Sequence, residues 1–179
     1  MILSDKRKIR QAVRAEIAKL SAEDKFIYSM LIFSKLSRIE EISKASVIAI
    51  FISLSDEPET AEFIKYLARQ NKRVIVPKIE GENMNFYDIS KGLQKGAFGI
   101  MEPVETTPIE PSEIDVMVVP GVAFTRDGKR LGRGKGFYDK YLSHRGFRAY
   151  TIGVCYHCQL VGFLPTEPHD KTLDLVVSI

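Results

Sequence analysis

Apolar runs alternate along the chain with segments in which apolar residues recur at helical spacing. Three of the runs lack the polar alternation of a half-exposed strand, and we expect each to be buried on both faces; they lie at 46–53, 115–119 and 148–154. Shorter runs predict three further strands, at 73–77, 84–89 and 172–177, and we place the one at 84–89 at a sheet edge. The pattern therefore predicts one α/β domain, residues 1–179, with a mainly parallel sheet flanked by helices.

The segments with helical spacing predict three helices before the second strand. The first covers 4–20, with Ser4 as its N-cap, and its expected core stripe is Ile9, Val13, Ile17 and Leu20. The second starts at Ser21, and its expected inward residues are Phe26, Ile27, Met30 and Leu31. The third is capped by Thr60, and its expected inward residues are Phe63, Ile64, Leu67 and Ala68.

The composition adds limits on the class and location of the protein. A chain of 179 residues with 45% hydrophobic and 27% charged residues is ordinary for a globular domain. The net charge of +3 permits nucleic-acid binding without arguing for it. Neither an apolar run of membrane-spanning length nor a secretory signal is visible in the sequence. We expect a cytoplasmic protein, or an organelle-matrix protein that has lost a targeting segment, without a membrane partner, and we favour a monomer.

The two cysteines, Cys155 and Cys158, form a Cys-x-x-Cys pair. Such a pair is found in redox couples and as half of a zinc site. A second pair is missing and the chain has only three histidines, which argues against a closed zinc site. A thioredoxin-like couple usually follows an early strand, whereas this pair comes late. We therefore expect ordinary packing thiols.

A glycine-rich segment, 120–142, carries the strongest signal of chemistry. It follows the predicted strand at 115–119, turns at Asp127-Gly128 and leads into a helix that packs through Phe137, Tyr141 and Leu142. Its three alternate glycines are Gly132, Gly134 and Gly136, and its interleaved cations are Arg130, Arg133 and Lys135. Closely spaced glycines let successive N–H groups point at one anion, and the following helix adds its positive end.

This segment fits neither of two familiar phosphate motifs. Lys135 is followed by glycine where a P-loop needs Ser or Thr, and Phe137 stands where the dinucleotide fingerprint needs a third glycine. The segment is therefore either a different loop that holds several phosphates or a basic surface hairpin without a ligand.

The run from Arg130 to Asp139, Arg-Leu-Gly-Arg-Gly-Lys-Gly-Phe-Tyr-Asp, resembles the signature of the 5-formyltetrahydrofolate cyclo-ligase family. Phe137 replaces a tyrosine that is common there, which keeps the ring and removes a hydroxyl. The resemblance extends from Lys6 to about residue 177 and implies a turn at 99–103 that leads toward the strand at 115–119. It implies a fold related to the CoA-transferase and sugar-isomerase group. It also implies ATP-dependent conversion of 5-formyltetrahydrofolate to 5,10-methenyltetrahydrofolate, with release of ADP and phosphate.

The resemblance also implies the site residues. Those implied for ATP are Lys6, Arg7, Lys8, Ile9 and Arg10, together with Arg130, Leu131, Gly132, Arg133, Gly134, Lys135, Gly136, Phe137 and Tyr138. Arg133 and Lys135 are the implied catalytic residues. From spacing alone, Lys6, Arg10 and Arg14 favour a solvated basic helix face.

The folate and metal residues follow in the same way. Leu54, Glu59 and Tyr138 are the implied folate contacts, and Asp139 and Asp170 are the implied Mg²⁺ ligands. On spacing alone, the acids of the loop at 54–60 fit equally well as acids near a helix N-terminus. In the same way, Asp139 fits equally well as an acid at a helix terminus, and Asp170 fits equally well as a turn residue.

Two other functions stay open at this point. The basic first helix and the glycine-rich segment would also suit a nucleic-acid-binding module, although no aromatic platform for single strands is visible. A binder of folate or nucleotide with the same fold and no catalysis is the other possibility. Our preferred hypothesis is the enzyme, with ATP, Mg²⁺ and 5-formyltetrahydrofolate as its small-molecule partners and no nucleic acid.

Overall fold

The computed structural model describes residues 2–96 and 101–179. The strands among these residues are β1 Val47–Ile50, β2 Arg73–Glu80, β3 Asn83–Asp88, β4 Leu93–Lys95, β5 Met101–Pro103, β6 Val116–Val119, β7 Ala123–Phe124, β8 Arg130–Leu131, β9 Tyr150–Cys155 and β10 Leu175–Ser178. Six of them form the central sheet, in the order β10-β9-β6-β1-β2-β3. Neighbouring strands from β10 to β2 are parallel, and β3 pairs antiparallel with β2 at the edge. The prediction of a mainly parallel α/β sheet with an edge strand at 84–89 is confirmed.

Five α-helices accompany the sheet among the residues described. They are α1 Ile2–Ala18, α2 Ala22–Leu36, α3 Glu40–Lys44, α4 Ala61–Arg69 and α5 Phe137–Leu142. Short 3₁₀ turns occupy Pro111–Glu113 and His157–Gln159. In the part of the chain described here, no helix is both long and apolar enough to cross a lipid bilayer.

The sheet has a packed core on each face, as unbroken apolar strands require. Within β1, Ile48 and Ile50 belong to one apolar cluster, which includes side chains of α1, α2 and α4. Ala49, which points to the opposite face, belongs to a second cluster that includes Phe124 and Tyr141. All three β1 residues are fully buried, so the prediction of burial on both faces is confirmed.

Helix α1 buries the stripe that its sequence predicted. Val13 and Ile17 are buried, and Ile9 and Leu20 pack against the same core cluster. The predicted start was wrong, because the helix begins at Ile2 and Ser4 therefore lies inside it rather than at its N-cap. The predicted end at residue 20 was late by two residues, since the helix ends at Ala18.

Helix α2 begins directly after Ser21, close to the predicted start, and it buries the face opposite to the predicted one. The hydroxyl of Ser21 accepts a hydrogen bond from the Asp24 N–H, and the Asp24 side chain accepts one from the Ser21 N–H, which is a capping box. The prediction of inward residues was wrong: Phe26, Ile27, Met30 and Leu31 are 45 to 52% exposed. The residues that α2 buries are Ser29, Ile32, Phe33 and Leu36. Apolar residues cover both sides of this helix, so their spacing alone did not select a face.

Helix α4 begins where Thr60 predicted, but the Thr60 hydroxyl does not cap it. That hydroxyl donates instead to the Phe51 carbonyl at 2.9 Å. Phe63 and Leu67 are buried as predicted, whereas Ala68 is exposed. The loop from β1 is thus tied back to the end of its own strand.

Two further sequence predictions concern the second half of the chain. The cysteine thiols are free, and burial with the neighbouring Cys158 raises the pKa of Cys155 to about 12, as expected of packing thiols. Part of the turn predicted at 99–103 lies outside the described residues, and Met101–Pro103 forms β5, which pairs antiparallel with β4.

Candidate active site

The candidate site lies at the carboxyl ends of β1 and β6, where the strand order changes direction. From β1 the chain continues through β2 to β3 on one side, and β6, β9 and β10 lie on the other side. The loop after β1 spans 51–60 and the loop after β6 begins at Pro120. Open α/β sheets bind ligands in the crevice at such a switch point.

The glycine-rich segment forms a hairpin followed by an open loop. β7 and β8 pair antiparallel around the predicted turn at Asp127-Gly128. Gly128 has a φ of +89°, and a Cβ there would stand 2.2 Å from the Leu173 carbonyl oxygen, so the turn needs glycine. Gly134 and Gly136 also have positive φ, +103° and +72°. Among the described residues, none accepts a hydrogen bond from the amides of residues 133 to 136, which leaves these amides available to an anion.

The Arg130 side chain is buried and neutralised within the protein. Its Nη2 donates to Oδ2 of Asp139 at 2.8 Å, and its Nη1 donates to the Pro120 carbonyl at 3.2 Å. Its guanidinium carbon lies 5.5 Å from the centre of the Tyr138 ring, within the range of a cation–π contact. Arg130 therefore joins the hairpin to the first turn of α5.

Arg133 pairs with two acids from the loop after β1. Its Nη2 donates to Asp56 and to Oε1 of Glu57, the latter at 2.9 Å, and its Nε donates to the same Glu57 oxygen at 3.2 Å. Burial alone would raise the pKa of the Asp56 carboxyl, but the hydrogen bond and charge of Arg133 bring it below its ordinary value. The two loops at the carboxyl ends of β1 and β6 are thus linked through one guanidinium.

Lys135 and the aromatic pair that follows it differ in exposure. Lys135 is exposed, and none of the described residues is its hydrogen-bond or ion-pair partner. Phe137 is half-buried and packs, with Tyr138, against the second core cluster. The Tyr138 hydroxyl is buried, and no partner for it lies among the described residues. Burial, followed by the charge of Glu57, raises the pKa of Tyr138, so this hydroxyl stays protonated.

Helix α1 contributes two of its basic residues to the site. Lys6 Nζ lies 2.8 Å from Asp170 Oδ2 and 3.3 Å from Glu167 Oε1, and it is buried. Arg10 Nε donates to the Gly132 carbonyl at 2.8 Å, and its guanidinium lies against Gly134. The hypothesis of a solvated basic helix face is therefore wrong for these two residues.

The intervening residues of the predicted nucleotide motif take other positions. Arg7 and Lys8 are exposed, and Ile9 is half-buried against the core. Leu131, in β8 of the hairpin, is buried in the core cluster that contains Ile48 and Ile50. Arg14, one turn beyond Arg10, lies 4.0 Å from Asp56.

The two predicted metal ligands lie in neighbouring segments, Asp139 in the first turn of α5 and Asp170 in the loop before β10. The N–H of Lys171 donates to Oδ1 of Asp139 at 3.3 Å, which brings the two aspartates together across 31 residues of chain. Burial alone would raise the pKa of Asp170, but hydrogen bonds from Lys6 and from the Glu167 N–H lower it below its ordinary value. The Asp170 carboxyl is therefore ionised at neutral pH.

These two carboxylates fit a magnesium ion. Mg²⁺ is typically held by one or two carboxylates together with waters and substrate phosphates, rather than by a protein cage. The described residues contain no cluster of three or more His, Cys, Asp or Glu side chains that could hold a metal ion by themselves.

The predicted folate contacts are divided between a cleft and its surroundings. Leu54 is exposed and lines an open cleft of about 540 Å³, together with Arg14, Ile17, Lys25 and Arg133. Glu59 belongs to the same loop and is exposed, but it does not line this cleft. The Glu59 N–H donates to the Ser29 hydroxyl at 2.9 Å, which fixes the loop against α2.

Glu57 is one of two site residues that sequence reasoning missed. The sequence suggested only an acid near the N-terminus of α4, whereas the structure buries its carboxylate against Arg133, 76 positions away. No pattern within the loop signals that pairing, because it depends on β1 and β6 being neighbours. Glu167, the second partner of Lys6, was missed for the same kind of reason.

Comparison with known proteins identifies the family. The sequence matches the 5-formyltetrahydrofolate cyclo-ligase family over residues 2–178. The mouse protein named 5-formyltetrahydrofolate cyclo-ligase is 30% identical, and the match covers 97% of this chain and 93% of the relative. The Haemophilus influenzae protein of that name is 32% identical, with 94% and 97% covered.

Two solved structures agree with the sequence comparison. The 5,10-methenyltetrahydrofolate synthetase of Aquifex aeolicus has a TM-score of 0.86 at 33% identity and covers 97% of this chain and 89% of that one. The corresponding Mycoplasma pneumoniae protein has a TM-score of 0.79 at 28% identity, with 97% and 98% covered. The chain described here therefore belongs to the 5-formyltetrahydrofolate cyclo-ligase family.

Proposed function

We propose that this protein converts 5-formyltetrahydrofolate to 5,10-methenyltetrahydrofolate with ATP, releasing ADP and phosphate. Its family membership supports this reaction, since relatives that match nearly the whole chain bear the enzyme's name. The observation that carries the proposal for this chain is the link of Arg133 to the loop of Leu54 and Glu57, because it joins the proposed nucleotide and folate loops.

The nucleotide phosphates bind to the glycine-rich segment. The amides of residues 133 to 136 and the side chains of Arg133 and Lys135 supply hydrogen bonds and positive charge. Lys6 and Arg10 support the site from α1, through Asp170 and the Gly132 carbonyl respectively. Lys135 is exposed, so its ammonium group is available to the terminal phosphate.

Asp139 and Asp170 would hold Mg²⁺ at the phosphates. When bound, the ion supplies neutralisation of the negative charge on the phosphate oxygens. The protein's own part is to hold both carboxylates in place, through Arg130 and the Lys171 N–H at Asp139 and through Lys6 at Asp170.

The reaction needs positioning more than covalent participation by the protein. The formyl oxygen attacks the γ-phosphorus and ADP leaves, which gives an N5-iminium phosphate. The N10 nitrogen then attacks the formyl carbon and closes the ring, and N10 gives up its proton to solvent. The carbon–oxygen bond then breaks and phosphate leaves with that oxygen. Arg133 and Lys135 stabilise the charge on the transferred phosphoryl group, and the fixed loops hold the formyl oxygen in line with it.

Folate recognition is assigned to the loop after β1 and to α5. The Glu59 carboxylate is exposed and can accept adjacent N–H groups of a pterin ring together. Leu54 offers an apolar contact in the cleft. Tyr138 is assigned to the folate by the family resemblance alone, since its hydroxyl is buried and has no partner among the described residues.

The organisation of the protein in the cell is a further proposal. We infer a cytoplasmic location and a monomer of one domain, acting on small molecules without a nucleic-acid or membrane partner. Light scattering of the purified protein tests the monomer, and a dimer at micromolar concentration would contradict it.

A direct assay tests the proposed activity. The protein is mixed with Mg-ATP and 5-formyltetrahydrofolate, and methenyl product is followed by absorbance while ADP is measured separately. We expect one ADP for each methenyl product and no product without ATP. In the same assay, Arg133→Ala should lose most of the activity. Its matched control is Arg126→Ala, which changes an exposed arginine in the hairpin turn. Absence of product from the folded wild-type protein would disprove the proposal.

A further inference from the structure

Glu57 is a buried carboxylate for which the proposed mechanism has no step. The residue is 7% exposed, and burying an ionised carboxylate is unfavourable unless charged and hydrogen-bonding groups compensate. A loop that only had to connect β1 to α4 would not need an acid in this position. The arrangement of its partners therefore indicates a function.

Both carboxylate oxygens of Glu57 are occupied by groups from the site. Oε2 accepts the Leu54 N–H at 2.9 Å, and Oε1 accepts hydrogen bonds from Nε and Nη2 of Arg133. The backbone is held as well, since the Glu57 N–H donates to the Leu54 carbonyl at 3.1 Å and the Tyr156 hydroxyl donates to the Glu57 carbonyl at 3.0 Å. Glu57 cannot move without moving Leu54 or releasing Arg133.

Glu57 occupies only one edge of the Arg133 guanidinium. Arginine presents its donors as a rigid planar fork, so fixing one edge fixes the direction of the other. Nη1 has no acceptor among the residues that the structure describes, and Nη2 is shared with Asp56, which is the more exposed of the two acids. An anion that replaces Asp56 can therefore bind the Nη1 and Nη2 edge while Glu57 remains bound to Nε.

We propose that Glu57 is a positioning residue, which fixes the direction of the Arg133 guanidinium and the position of Leu54 so that nucleotide and folate meet in one geometry. This inference rests on the proposed function. A simple counter-ion would lower the positive potential at Arg133 and weaken nucleotide binding. A positioning residue instead raises the rate of the bound complex, because small misplacements of reacting groups are costly.

Steady-state kinetics of Glu57→Gln separate these roles. The amide keeps the size of the side chain but loses its charge. Its NH₂ group also faces either the Leu54 N–H or Arg133, which are both donors, so one of these hydrogen bonds is lost. We expect kcat to fall about 10- to 100-fold, with the KM for ATP within about threefold of wild type. Glu62→Gln, the same change at an exposed glutamate paired with Lys65, should keep the wild-type kcat. An unchanged kcat with a lowered KM would show a counter-ion and overturn the proposal.

A double-mutant cycle shows whether Glu57 acts through Arg133. In the Arg133→Ala background, Glu57→Gln should lower kcat by no more than about twofold further, because the group that it positions is gone. If the kcat of the double variant instead fell by the product of the two single reductions, Glu57 would not act through Arg133 and the proposal would be wrong. If Glu57→Gln does not fold, Glu57→Asp keeps the charge and shortens the reach to Arg133, and the same fall in kcat is expected. If neither variant folds, Glu57 is a structural residue and the proposal is wrong.

Nuclear magnetic resonance gives a readout that does not depend on turnover. In the ligand-free wild-type protein, the proton on Nε of Arg133 should exchange slowly with water, because Glu57 accepts its hydrogen bond. In Glu57→Gln that protection should be lost, and in Glu62→Gln it should remain. A wild-type protein that makes no methenyl product would disprove the proposed function. An unchanged Arg133 Nε signal in Glu57→Gln would disprove the positioning role.

Discussion

Two groups of ion pairs flank the glycine-rich segment, and they differ in which partner is buried. On one side, the Arg130 side chain is 4% exposed and its partner Asp139 is 17% exposed. In the pair of Lys6 and Asp170, the cation is likewise more buried than the carboxylate. On the other side, the Glu57 side chain is 7% exposed and its partner Arg133 is 35% exposed. We call these the aspartate side and the arginine side of the site.

This difference indicates which ligand each side can accept. A buried ion must have a partner inside the protein, so its charge holds and directs that partner. The more exposed member is then the one that a ligand can reach. On the aspartate side this member is a carboxylate, which suits a cation, and on the arginine side it is a guanidinium, which suits an anion. Mg-ATP supplies both charges in one molecule.

The largest expected effect comes from removing the exposed cation of the arginine side. Arg133→Ala should lower kcat/KM by about 100-fold or more, which is the usual cost of losing one charged donor at a transition state. Arg126→Ala is the control. Because the variant leaves Glu57 without its cation, its folded fraction must be verified by circular dichroism. Near-normal kcat/KM in folded Arg133→Ala would break the assignment of the arginine side.

The next effect concerns the aspartate side. Asp170→Asn should raise the Mg²⁺ concentration needed for half-maximal activity by about tenfold or more. The thermal stabilisation that Mg²⁺ gives in the presence of ADP should also decrease, since a ligand stabilises only the state that binds it. Asp127→Asn, in the exposed hairpin turn, is the matched control. An unchanged Mg²⁺ requirement would show that Asp170 serves only to hold Lys6.

A smaller effect is expected in the pH dependence of stability. The folded pKa values of Asp170 and Asp56 lie below their ordinary value of 3.8. A lowered carboxyl pKa contributes stability that is fully present above the ordinary value and is lost as the pH falls through the lower, folded value. The melting temperature of Asp170→Asn and of Asp56→Asn should therefore fall less steeply than that of the wild type below about pH 4. If the melting temperature of either variant fell with pH as steeply as that of the wild type, the ion pair of that aspartate would be contradicted.

The same two sides show how far sequence reasoning reached. The glycine spacing predicted an open loop followed directly by a helix, and the structure has that helix at Phe137–Leu142, because these features are local. The partner of Arg133 was not predictable, since Glu57 and Arg133 meet only through the pairing of β1 with β6. Long-range ion pairs are decided by topology, which local patterns do not contain.

Helices α1 and α2 show the corresponding limit for the fold. The buried stripe of α1 lies between charged residues, so its spacing identifies one face. In α2, apolar residues occupy both sides, and the face that was predicted inward is exposed. Packing decided the outcome: Phe33 stacks on Phe63 of α4 with ring centres 4.8 Å apart, and Ser29 holds the loop of Glu59.

The smallest expected effect concerns Arg14, the outermost cation near the arginine side. Its Nε lies 4.0 Å from Asp56, and the Arg14 and Asp56 side chains are both partly exposed. An ion pair of this kind contributes little, because water and salt screen it and two long side chains lose freedom in forming it. Arg14→Ala should therefore change the free energy of unfolding by less than about 0.5 kcal/mol, measured by urea denaturation, with exposed Arg7→Ala as the control. A loss well above that of Arg7→Ala would mean that Asp56 depends on Arg14 as well as on Arg133, and that the arginine side extends along α1.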